Sequence, residues 1–91
     1  MDSNFSSSPN KKGSSQPEHW SVLVLHNDDV NSFEFVMETL EEVCNHTVTQ
    51  AEQCAMITHY KGKCEIMVGE MNDLRVARHE LISRGLNATI E

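Results

Sequence analysis

The change of hydrophobic period between residues 26 and 33 constrains the fold of this chain more than any other feature. The stretch "WSVLVLH" (20–26) alternates as a strand does. From Phe33 onward, apolar residues recur at Val36, Met37, Leu40, Val43 and Cys44, the spacing of a helix with one buried stripe. Glu34, Glu38, Glu41 and Glu42 fill its other side. A strand that passes so directly into an amphipathic helix predicts a sheet onto which that helix folds back. Between the two lie Asn27, Asp28 and Asp29. An amide and two adjacent carboxylates are a costly way to end a strand if only a turn is needed.

The rest of the chain continues the pattern. Asn31 is the expected cap of the first helix, with Glu34 as its reciprocal partner in a capping box. A second box, Thr49 and Glu52, opens a helix with Ala51, Cys54, Ala55 and Thr58 on one face, and Gly62 ends it. "CEIMVG" (64–69) reads as a strand. "MNDLRVARHELISRG" (71–85) reads as a third helix with Leu74, Ala77 and Leu81 on its buried stripe. Asn72 is its expected N-cap, and Gly85 sits where a left-handed C-terminal residue is wanted. "LNATI" (86–90) is a last short strand. The order β-α-α-β-α-β predicts an α+β fold, a three-stranded antiparallel sheet with three helices packed on one face.

Residues 1–18, "MDSNFSSSPNKKGSSQPE", are nearly empty of large apolar side chains and predict a disordered N-terminal extension to a core domain at 19–91. In that segment Asp2 and Glu18 balance Lys11 and Lys12, so the whole net charge of −7 falls on the core. An acidic core argues against a nucleic-acid partner and suits a cationic one. Three cysteines, with no visible secretion signal, predict reduced thiols in a cytoplasmic chain. No apolar run approaches the length of a membrane-spanning helix, so no membrane partner is expected.

Several constellations of reactive side chains compete for a reading. Cys44, His46, Cys54, His59 and Cys64 lack the tight pairing of zinc ligands, and Cys44 and Cys54 lie on buried stripes, so no metal or other cofactor is expected. A Cys64–His59 nucleophile has nothing to activate its thiol in an acidic domain. Asp28, Asp29 and His59 could serve acid/base chemistry, but no substrate cleft or metal motif accompanies them. Periodicity alone does not decide whether His59 lies beside Asn27 and Asp28.

The residues also resemble a known family. "VLVLHNDDVNSFEFVMETLEEV", "AEQCAMITHYKGKCEI" and "DLRVARHELISRGLNATI" are similar, in that order, to the ClpS adaptors, and the resemblance spans about residues 20 to 91. It implies the fold inferred above and an adaptor rather than an enzyme. It implies an N-degron site that takes proteins beginning with Leu, Phe, Tyr or Trp. Such proteins are handed to the N-terminal domain of the ClpA or ClpC unfoldase, for degradation by ClpP, and the adaptor is expected to act as a monomer. A free N-terminus is an ammonium with three donors and no acceptor, so its burial demands acceptors and negative charge. By resemblance, Asn27 supplies an amide oxygen, Asp28 a carboxylate and His59 a neutral ring nitrogen. Loss of one partner of such a charged pair costs ~2–5 kcal/mol. Filling an apolar pocket with Leu or Phe contributes roughly 1.5–3 kcal/mol.

By the same resemblance, Asn31, Phe33, Ala55, Thr58 and Leu86 line the side-chain pocket. The family commonly has Thr, Met, Met and Val at the first four of these positions, and Leu at the last. One lining residue has grown and another has shrunk, so a reshaped pocket with its own ranking of first residues is expected. Glu70 and Arg75 match in kind the family's Glu and Lys contacts with the unfoldase. The segment from His59 to Glu70 is two residues shorter than a common family form, with "CEIMV" in place of "GVCGV". The rival readings are a protein-interaction domain of this fold without the amino-group site, and a small metal- or acid/base-dependent enzyme.

Overall fold

The computed structural model describes residues 19–91. The expected extension at 1–18 lies outside the described residues. The elements are β1 (Trp20–His26), α1 (Phe33–Cys44), α2 (Val48–Lys61), β2 (Lys63–Glu70), α3 (Met71–Ser83) and β3 (Asn87–Ile90), in the expected β-α-α-β-α-β order. The strands form one antiparallel sheet in the order β2-β1-β3. Leu23 and Leu25 of β1, Ile66 of β2 and Ala88 of β3 join Leu40 of α1, Ala51 of α2 and Leu74, Ala77 and Leu81 of α3 in a single buried cluster. All three helices therefore cover the same face of the sheet.

Strand β2 pairs with β1 through a bulge. Leu23 faces Met67 and Val24 faces Glu65, so Ile66 is the extra residue. Both Ile66 and Met67 then turn toward the core, and the strand resumes its alternation on either side. Glu70 closes the register opposite Trp20.

The helix starts differ from those expected. Ser32, not Asn31, caps α1, accepting from the Phe35 amide at 3.1 Å. Asn31 is occupied elsewhere, as described below. Thr47 and Gln50, not Thr49 and Glu52, form the capping box of α2, with bonds of 3.1 and 2.9 Å. Helix α3 begins straight out of β2 with no side-chain cap, so Asn72 lies inside its first turn. Gly62 and Gly85 both have positive φ, 94° and 93°, as the ends of α2 and α3 require.

Candidate functional site

Three junctions meet at one edge of the helical layer. The first is the turn after β1. Asp28 Oδ1 accepts from the backbone amides of Val30 at 2.8 Å and Asn31 at 2.9 Å, and Oδ2 accepts from Asn31 Nδ2 at 3.0 Å. Burial opposes the charge on Asp28, but these three donors outweigh it and hold the carboxyl below its ordinary range. The carboxylate thus builds the turn that leads into α1. Asp29, one residue on, is exposed and accepts no hydrogen bond from any described residue.

The second junction is the end of α2. Gly62 caps the helix, and its carbonyl accepts from the Asn27 amide at 2.9 Å. That bond joins the last turn of α2 to the end of β1, and it brings His59 to the Asn-Asp-Asp turn. The His59 ring is exposed and meets Tyr60 edge to face, with centroids 5.0 Å apart. The third junction is the turn from α3 to β3, where Gly85 precedes the buried Leu86.

Together they enclose a cavity of ≈ 610 Å³. Asn27, Asp28, Asp29 and His59 give it polar and acidic groups. Leu25, Ala55, Thr58 and Leu86, all buried, give it a mostly apolar floor. Phe33, 37% exposed, and Asn31 also line it. The buried Thr58 hydroxyl donates to the Cys54 carbonyl at 2.7 Å, so Thr58 lines the cavity without an unsatisfied donor. A volume of this size suits one large side chain together with the polar atoms beside it. All eight residues expected at the amino-group site and the side-chain pocket line this one cavity. Asp29 has no part in the amino-group site that the resemblance implies, yet it lines the cavity and accepts no hydrogen bond from the described residues. Only the hydrogen-bond geometry of the turn separates it from Asp28.

Glu70 and Arg75 lie apart from the cavity, at the start of α3. Both are exposed, and Glu70 meets His19 Nε2 at 3.2 Å. Among the described residues, no three His, Cys, Asp or Glu side chains gather as metal ligands would. Burial pushes the Cys44 thiol up to about 11 and the Cys64 thiol, which also contacts Cys54, up to about 12. Neither is a nucleophile near neutral pH.

The family model for the ATP-dependent Clp protease adaptor protein ClpS matches residues 15–89. The structure of Agrobacterium tumefaciens ClpS2 bound to L-phenylalaninamide is similar to this fold with a TM-score of 0.78. The two chains are 23% identical, over 82% of this chain and 98% of that one. With a family match over most of its length and a fold that agrees with it, this chain belongs to the ClpS family of Clp protease adaptors.

Proposed function

We propose that this chain binds the free N-terminal residue of N-degron proteins and delivers them to a Clp unfoldase, ClpA or ClpC, for degradation by ClpP. It does so without catalysis of its own. The observation that carries the reading is the cavity, in which acceptors and negative charge stand beside an apolar floor. A protein's first residue has the matching form, an ammonium on the same carbon as a side chain. L-phenylalaninamide, the ligand of the Agrobacterium protein, has both parts.

In this reading the ammonium donates to the Asn27 amide oxygen, to a carboxylate and to the neutral ring of His59. Asp28 and Asp29 both supply negative charge, and Asp29 offers the ammonium more free acceptor positions, because Asp28 spends three within its own turn. Asp28 keeps one free direction and presents Asp29 through the turn it builds. Phe33, Ala55, Thr58 and Leu86 surround the first side chain. Glu70 and Arg75 contact the unfoldase's N-terminal domain, residues 1–18 form an extension engaged by that unfoldase, and the chain works as a cytoplasmic monomer.

A fluorescence titration with peptides starting in Leu, Phe, Tyr, Trp, Ile, Met or Ala tests the reading. Phe- and Leu-start peptides are expected to bind, and N-acetylation, which removes the charge and donors, to abolish binding. An acetylated Phe-peptide that binds as well as the free one refutes it.

A further inference from the structure

Asn31 joins the two halves of the cavity. Its Nδ2 donates one proton to Asp28 Oδ2 at 3.0 Å and the other to the Gly85 carbonyl at 2.9 Å, while its backbone amide donates to Asp28 Oδ1 at 2.9 Å. Asp28 fixes the turn that carries Asn27 and Asp29. Gly85 fixes the start of Leu86, which is only 4% exposed in the floor of the side-chain pocket. One carboxamide therefore ties the carboxylate turn to the pocket wall. Among the described residues, no other side-chain hydrogen bond joins the 27–31 turn to the 84–86 turn. A hydroxyl in place of the amide has one proton and satisfies one of the two acceptors. A carboxylate at neutral pH has none and faces Asp28 with like charge.

We propose that Asn31 is a positioning residue that couples recognition of the ligand's amino group to recognition of its first side chain. The proposal rests on the N-degron reading above. A side chain that presses Leu86 outward moves the Gly85 carbonyl, and with it the Asn31 amide, Asp28 and the turn presenting Asp29. The two contacts then do not contribute independently. Residues that share one hydrogen-bonded network have interaction energies where distant ones are additive. Asn31 makes the pocket favour ligands that offer both features over ligands that offer either alone.

The test is a cycle measured with a Phe-start peptide. Affinities of the unaltered protein, Asp29→Asn, Leu86→Val and the double variant are compared, and the cycle is repeated in an Asn31→Thr background. With Asn31 present, the loss in the double variant is expected to differ from the product of the single losses by about threefold or more. In the Asn31→Thr background the losses are expected to multiply. An additive cycle in the unaltered background, or equal coupling in both, overturns the proposal while leaving the N-degron reading intact. No binding of the Phe-start peptide to the unaltered protein overturns both.

A measurement on the unaltered protein guards against a variant that fails to fold. Alaninamide, which has the amine but no large side chain, is expected to shift the NMR signal of the Leu86 backbone amide. It is expected not to shift it in Asn31→Ser, which loses one of the two donors. A Leu86 signal unmoved in the unaltered protein at saturating alaninamide also overturns the coupling.

Discussion

Asp28 and Asp29 are neighbours of one chemical type, and their hydrogen bonds give them different work. Asp28 receives three donors from its own turn, while Asp29 receives none from the described residues. Replacing Asp29 by Asn keeps its shape and removes the charge. That variant is expected to lose about 1.5–3 kcal/mol of binding, the worth of a hydrogen bond to a charged group, with little change in melting temperature. Asp28→Asn puts an amide proton toward the Asn31 amide, so it is expected to lower both affinity and thermal stability. Titration and a thermal melt on the same two variants separate the roles, and equal effects of both on stability contradict them. At the pocket floor, Ala55 is 3% exposed and lines the cavity with the smallest apolar side chain there. Ala55→Met lengthens the side chain in that wall. Overpacking of this kind costs about 1–3 kcal/mol, and it is expected to fall on Trp- and Tyr-start peptides before Leu-start ones. A uniform loss across the three, measured by competition titration, contradicts a floor set by Ala55.

The six elements were legible in the sequence because their periods were clean. "WSVLVLH" alternates, the α1 stripe recurs at helical spacing, and Gly62 and Gly85 stand where positive φ was needed. The helix starts were less legible, for a physical reason. Residues able to cap a helix crowd the stretch from Asn45 to Glu52, so the Thr47–Gln50 and Thr49–Glu52 boxes overlap there. Asn45 takes the left-handed conformation that ends α1, at φ 56°, and the chain can begin α2 at once from Thr47. Near α1, Asn31 had the composition of a cap, but its side chain is satisfied by Asp28 and by Gly85, which is near it only in the fold. The bulge at Ile66 was hidden because two adjacent apolar residues, Ile66 and Met67, look the same whichever one is extra. The Thr47 box makes a local prediction. Thr47→Ala is expected to destabilise the domain by about 1 kcal/mol, and Thr49→Ala by much less, in urea unfolding. The reverse order points to the later box.

At the scale of the whole molecule, charge and proton uptake set how the cavity works. The net charge of −7 surrounds a site read as taking a cation. Long-range attraction of this kind is screened over about 8 Å at physiological salt. Raising salt is therefore expected to slow association of a Phe-start peptide more than it speeds dissociation. Acid acts on the fold through Asp28, whose carboxyl is held below its ordinary range by its turn. A depressed acid contributes stability above the ordinary carboxylate range and loses it as pH falls through the lowered folded value. The turn therefore weakens only well below neutral pH, and near neutral pH the cavity keeps its shape. Binding has its own pH dependence there. The ligand's α-amino group loses its proton above about pH 8 and with it the charge that the site holds. Affinity for a Phe-start peptide is expected to fall as pH rises through that range. His59→Ala, which removes an acceptor, is expected to weaken binding by about three- to tenfold, and His59→Asn, which keeps one, to restore part of the loss. Equal losses in the two variants take His59 out of contact with the ammonium.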